Sequence, residues 1–357
     1  MLSQRTNGPT PLPAAPAVRS LILVAGSGRS GTSLFAGILQ RLGYAVPQPE
    51  VPADDTNPRG FGESQWVVDF HARLLKQARV QVSDARPGAW ALTGRAGLDE
   101  AVAAELRGWL EQRFGESEHL VIKDPRVSWF LPLWRRCAAD LGAGARCVTL
   151  LRHPAAVVDS KQRWYGGWQG EVSRAAGWVN QTLFTERATR EAPRAFVRYD
   201  DLLDDWPRAI GRVDEALDLV LLQQTSPASM RRVHEFVDRG LSRSRGDWEH
   251  LALPEPLRTQ AEEVWLLVSR LADEAEGDRE AVCERLDELR GAYADLYAEA
   301  EAVAHSSISA ARPRPLAPAG PPGSPAAAWL IRRVPVRYKR RVPRGWRSRV
   351  NRALSQA

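Results

Sequence analysis

At 357 residues the chain exceeds one average domain, and with 44% hydrophobic and 26% charged residues it can bury the core of one α/β domain with additions. Its net charge of +6 is local: residues 328–357 hold ten Lys/Arg and no acid, so the rest carries 39 basic against 43 acidic residues, a net −4, which removes the global reason to expect nucleic acid as a partner. No run of eighteen apolar residues occurs, which excludes a membrane-spanning helix.

Residues 1–18 are rich in Pro and Ala without a continuous apolar run, the composition of a disordered leader and not of a signal peptide. A short apolar run at 21–25 ends in a glycine-rich turn, the form of a buried parallel strand. Leu34, Phe35, Ile38, Leu39 and Leu42 then recur at helical spacing, with Gly43 placed to stop the helix. The stretch 43–58 carries four prolines and the acids Glu50, Asp54 and Asp55, and reads as a loop. Further apolar runs at 120–122, 147–151 and 195–197 predict strands, and apolar spacing predicts helices over 98–114, 128–141, 154–165, 171–190 and 205–222. Strands alternating with helices predict an α/β fold, a doubly wound parallel sheet flanked by helices, over 19–304. Within it, 254–304 predicts a helical hairpin, with stripes Leu257, Val264, Leu267, Leu271 and Val282, Leu286, Leu289, Leu296. Residues 305–327 have the composition of a linker, and 328–357 form a basic tail. The cysteines Cys137, Cys147 and Cys283 are odd in number and lack metal-ligand spacing, as expected of buried thiols in a reducing cytoplasm.

Chemistry concentrates first at residues 25–34, Ala-Gly-Ser-Gly-Arg-Ser-Gly-Thr-Ser-Leu. Glycines let several backbone N–H groups converge ahead of a helix N-terminus, which suits a phosphate. Gly26 and Gly31 have the spacing of a nucleoside-triphosphate loop, but Thr32 stands where that loop needs lysine, and the cation is Arg29 instead. Residues 148–160 supply a second element: a buried strand, then Arg152, then Ser160 eight residues later on the next helix. A third is Val197-Arg-Tyr-Asp-Asp-Leu-Leu203.

Arg29-Ser-Gly-Thr-Ser33 after an apolar strand resembles the 5′-phosphosulfate loop of sulfotransferases that use 3′-phosphoadenosine 5′-phosphosulfate (PAPS), with arginine at the cation position as in the tyrosylprotein branch; Arg152 and Ser160 have the spacing that this family uses for the 3′-phosphate. The resemblance covers roughly residues 20–250 and implies a P-loop-like fold. It implies a donor site of Gly28, Arg29, Ser30, Gly31, Thr32 and Ser33 at the phosphosulfate, Arg152 and Ser160 at the 3′-phosphate, and Tyr199 near the adenine. Arg243 and Arg245, in 239–248, correspond to the family's late loop over the 3′-phosphate. The implied reaction is an in-line displacement on sulfur without a metal, needing a cation at the leaving oxygen and a base for the acceptor proton. Arg29 fits the first role, with Lys123 as a further candidate beside the transferred group, while Arg126 is expected to line the acceptor pocket. Two carboxylates compete as base. Glu50 lies at the distance after the loop where the tyrosylprotein branch has its glutamate; Glu63 ends Asn57-Pro-Arg-Gly-Phe-Gly-Glu63, which resembles a stretch of bacterial sulfotransferases. His153 and Asp124 are the remaining candidates.

The expected acceptor is a hydroxyl or amine on a glycan, lipid or small natural product, since Trp164-Tyr-Gly-Gly-Trp168, Trp129 and Trp134 offer aromatic faces for stacking. The tail combines tryptophan and aliphatics with its cations and suits an anionic membrane surface, so the expected location is the cytoplasm with peripheral association at the inner membrane face. A nucleotide-dependent kinase and a non-catalytic nucleotide-binding scaffold recruited to the membrane are the competing readings.

Overall fold

The computed structural model describes residues 19–166, 169–238, 240, 246–273 and 279–311, with backbone alone at 308–311. The chain divides into two units, 1–299 and 300–357, and the architecture below is that of the first. The leader 1–18, residues 312–327 of the predicted linker, the tail 328–357, Trp168, and Arg243 and Arg245 of the late loop lie outside the described residues.

Four strands, β1 (Ser20–Ala25), β2 (His119–Lys123), β3 (Gly144–Leu151) and β4 (Arg194–Arg198), form one sheet in the order β2-β1-β3-β4. All three pairings are parallel; Leu23 sits opposite Ile122 on one side and Cys147 on the other. The uninterrupted apolar run of β1 is explained by burial on both faces. Leu21, Leu23 and Ala25 enter one core cluster and Ile22 and Val24 the other, and all five are 0% exposed.

On the first face pack α2 (Gln65–Ala78), α3 (Ala89–Gly97), α4 (Glu100–Glu116), a 3₁₀ helix at Pro125–Phe130 and α5 (Leu131–Asp140). On the second pack α1 (Thr32–Arg41), α8 (Tyr199–Leu217) and α9 (Pro227–Phe236). A third cluster joins the ends of β3 and β4 to α6 (Pro154–Tyr165), α7 (Glu171–Thr189), α10 (Glu255–Arg270) and α11 (Arg279–Ala311). The predicted hairpin is thus α10 and α11: Leu257, Val264, Leu271, Val282, Leu286 and Leu289 are all buried there, while Leu267 and Leu296 are half-buried at its edge. The helix of α11 continues to Ala311, past the predicted boundary at 304. Among the described residues no helix is long and apolar enough to cross a membrane.

Helices α2, α3 and α9 were not predicted, and α8 starts at Tyr199 and not at 205. The latter difference has a local cause. Asp205 leaves the helical region (φ −151°, ψ 75°), accepts a hydrogen bond from the Arg208 amide at 3.1 Å and is followed two residues later by Pro207, so the sequence signal at 205 marks a second helix start inside one element.

Because β1 lies between β2 and β3, the connections leaving β1 and β3 run to opposite sides. Their carboxyl ends border the crevice where open α/β sheets bind ligands. The glycine-rich loop follows β1, and Arg152 follows β3.

Candidate functional site

The loop after β1 needs its glycines at two points. Gly26 has φ +126°, and a Cβ there would lie 2.6 Å from the Leu150 carbonyl oxygen; Gly31 has φ +92°, and a Cβ there would lie 2.3 Å from the Tyr199 ring. Between them Arg29 adopts φ 76°, a left-handed conformation that costs a non-glycine residue about 1–3 kcal/mol and is kept where surrounding structure enforces it. Gly31 is the N-cap of α1. No side chain caps that end, and its first turn holds no acid, so the free N–H groups and positive pole of the helix are left for an anion. The Ser30 hydroxyl is buried with no hydrogen-bond partner.

This loop forms one wall of a cavity of about 1010 Å³. Gly28, Arg29, Gly31, Thr32 and Ser33 line it, together with Glu63, Lys123, Arg126, Arg152, Ser160 and Tyr199. The lining holds nine lysines and arginines against two carboxylates, Asp55 and Glu63, so the cavity is an anion site by composition.

Its cations are held in defined places. Arg29 Nε donates to Ser160 Oγ at 3.0 Å and Nη1 to the Thr56 carbonyl at 3.3 Å, while its guanidinium lies 5.9 Å and 6.0 Å from the Trp164 and Tyr165 rings. Arg152 Nη1 donates to the Arg29 carbonyl at 3.1 Å, and its guanidinium stacks 4.5 Å from the Tyr199 ring centre. Burial lowers the Arg152 pKa against the opposing pull of Tyr199 and Asp200. Two loops and two helix starts thus converge through Arg29, Arg152, Ser160 and Tyr199.

Lys123, the last residue of β2, is 3% exposed; its Nζ donates to Ser33 Oγ at 3.0 Å and forms an ion pair with Glu63. Burial pushes the Glu63 carboxyl above its ordinary range, with the Asp124 charge adding to that and Lys123 opposing it. Asp124 is fully buried behind the cavity wall: it accepts from Arg126 Nη1 at 2.9 Å and lies 2.7 Å from His71 Nδ1. Trp134 Nε1 donates to His71 Nε2 at 2.8 Å, so His71 must carry its proton on Nδ1 and give it to Asp124. Burial alone would raise the Asp124 pKa, but the His71 and Arg126 interactions outweigh it and hold the carboxyl below its ordinary range.

The remaining sequence candidates are separated by position. Glu50 is outside the cavity lining, and its Oε1 accepts from Gln40 Nε2 and Gln48 Nε2, both at 2.9 Å. His153 caps α6 through Nδ1, and its Nε2 lies 3.2 Å from Glu262. Trp129 and Trp134, considered for an acceptor face, are core residues at 2% and 0% exposure, whereas Trp164 and Tyr165 do line the cavity.

Among the lining residues that escaped the sequence reading are two buried cations, Lys161 and Arg174. Lys161 Nζ donates to Ser27 Oγ at 2.9 Å and Ser83 Oγ at 2.8 Å; Arg174 is 2% exposed and donates to the Gly166 carbonyl. A signal for each existed. Lys161 continues the buried stripe Pro154, Val157, Val158 of α6, and Arg174 opens the stripe Trp178, Gln181, Thr185 of α7, so both put a charge where helical spacing demands a buried residue.

No family model matches the sequence, and no curated protein matches it. Among solved structures, the chain is similar to the sulfotransferase domain of the Synechococcus PCC 7002 olefin synthase (TM-score 0.43, 18% identity, covering 74% of this chain and 98% of that one). It is also similar to the sulfotransferase domain from the curacin biosynthetic pathway (TM-score 0.40, 17% identity, covering 71% and 98%).

Proposed function

We propose that the protein transfers a sulfuryl group from PAPS to a hydroxyl or amine of an acceptor. The observation that carries this reading is the convergence of Arg29, Ser160 and Arg152 on a single cavity whose floor is the uncapped start of α1. A donor with a phosphosulfate at one end and a phosphate at the other asks for two separate anion-binding groups bridged by a flat apolar surface. The residues present fit that demand. The loop, the α1 N-terminus and Arg29 serve the phosphosulfate; Arg152 and Ser160 serve the 3′-phosphate; Tyr199, packed between Gly31 and Arg152, lies where a base would stack. The orphaned Ser30 hydroxyl adds an unspent donor at the loop.

PAPS supplies a sulfuryl group whose bond to the bridging phosphate oxygen breaks as the acceptor oxygen or nitrogen bonds to sulfur. Arg29 stays protonated throughout and offsets charge that develops on the bridging oxygen, but cannot donate a proton there. Lys123, hydrogen-bonded to Ser33 of the loop, supports the same charge from the other side. Glu63 takes the acceptor proton: it lines the cavity, it is tied to Lys123, and burial has raised its proton affinity toward the range useful to a general base.

Titration calorimetry with 3′-phosphoadenosine 5′-phosphate (PAP) tests the donor. Micromolar binding that Arg152→Ala abolishes and that ATP does not reproduce is the expected result. Equal binding of ATP, or no binding of PAP, overturns the reading.

A further inference from the structure

Of the nine cations around the cavity, most have an assignment. Arg29 and Arg152 answer the donor, and four others are paired with carboxylates: Lys123 with Glu63, Arg126 with Asp124, Arg59 with Asp238 and Arg163 with Asp159. Lys76 is exposed and solvated. Lys161 and Arg174 remain. Both are buried, 4% and 2% exposed, and among the described residues neither forms an ion pair.

The neighbouring acids are already engaged. Glu171, which acts on Arg174 from the same helix, accepts from Gln162 Nε2 at 2.6 Å and from the Ala252 amide at 2.7 Å. Asp84, next to Ser83, is held by Arg86 and the Gln81 amide. Among the described residues, Lys161 has the hydroxyls of Ser27 and Ser83 as its hydrogen-bond partners, and Arg174 Nη1 has none. Burial, with the Arg174 charge adding, pushes the Lys161 ammonium down to about 7. Two adjacent buried cations without a counter-ion are costly to fold, and an anion between them removes the cost.

We propose that Lys161 and Arg174 form an anion subsite that holds an acid group of the acceptor. The inference rests on the donor reading above and deepens it. The pair stands where the two sides of the cavity meet: Lys161 reaches Ser27 of the loop on one side and, on the other, Ser83 of the segment after α2, whose Val80 and Val82 line the cavity with Ala72 and Leu75 of α2. An apolar wall beside a buried cation pair selects an acceptor with an apolar body, the group to be sulfated and, apart from it, a carboxylate, phosphate or sulfate ester.

The test titrates inorganic phosphate into protein saturated with PAP, comparing wild type with Arg174→Gln. The expected result is one phosphate per chain in wild type, at least tenfold weaker binding in Arg174→Gln, and PAP affinity within twofold of wild type in both. Lys161→Met repeats the measurement should far-UV circular dichroism show Arg174→Gln unfolded. Phosphate seated where the sulfuryl group would lie binds wild type and variant alike, and that outcome overturns the proposal. So does absence of phosphate binding to the PAP complex, or a joint loss of PAP and phosphate affinity, which assigns the pair to the donor. Failure of wild type to bind PAP at all is a separate result: it removes the donor reading and the acceptor role together.

Discussion

Glu63 carries the heaviest chemical demand on a single side chain, because its burial works for and against it. Desolvation raises its proton affinity, with the Asp124 charge adding, while the bonded Lys123 pulls it back down. Glu63→Gln keeps the shape and removes the proton acceptor, so kcat is expected to fall about 10²–10⁴-fold while PAP affinity is kept, measured by single-turnover assay and calorimetry. In wild type, the raised pKa places the acid limb of the rate profile above the ordinary carboxylate range, with activity rising as pH climbs through it; a limb at the unshifted carboxylate value would count against Glu63. Gly31→Ala probes the loop. Its new methyl meets the Tyr199 ring in a backbone conformation that alanine resists, so about 1–3 kcal/mol of stability and much of the PAP affinity should be lost together in urea melts and titrations. Arg29 and Arg152 were legible in the sequence because each follows an apolar strand at a fixed offset. Which of Glu50 and Glu63 borders the cavity was not, since both lie in a loop without periodicity, and only the fold sets one on the cavity wall and the other among glutamines outside it.

At the scale of elements, the short 3₁₀ helix after β2 is pinned to α2 through Asp124. Its carboxylate accepts from the Arg126 amide and side chain and receives the His71 proton, whose far nitrogen is held by Trp134 of α5. Asp124→Asn removes the buried carboxylate that accepts from His71 and pairs with Arg126, and about 1–3 kcal/mol of stability is the expected loss in urea denaturation at pH 7. The sign with pH follows from the lowered folded pKa. The contribution of Asp124 is present above the unfolded carboxylate value, near 4, and is lost as pH falls through the lower folded value, so the gap between wild type and Asp124→Asn should narrow in acid. Such elements divide cleanly by how they announce themselves. The four strands announce themselves as short unbroken apolar runs and the hairpin by its repeated apolar stripes, and both were legible. Helix α2 buries Val67, Phe70, Leu74 and Leu75 at helical spacing with His71 as its one polar interruption, a pattern present in the sequence, whereas α3 is short and buries only Ala89 and Thr93, the latter bonded to its own turn.

At the scale of the molecule, a body of net −4 carries a tail with ten cations, and we propose a use for the tail, binding an anionic membrane surface, separate from that of the body. Deleting 328–357 is expected to leave turnover on a dissolved acceptor unchanged and to abolish salt-sensitive co-sedimentation with phosphatidylserine vesicles; vesicle binding that survives the deletion would remove the tail's proposed membrane role. Within the body, the sheet order brings the two loops of the proposed donor site side by side, and beside the Arg29–Ser160 contact a hydrogen bond from Arg152 to the Arg29 carbonyl links them. With the assignments above, that bond makes the pocket a gauge of length. A nucleotide that fills one end without the other leaves the linked arginine unanchored, so it forfeits more than its missing contact. Selectivity between PAP and its 3′-dephosphorylated analogue should therefore exceed the sum of the separate losses at Arg29 and Arg152 in a double-mutant cycle.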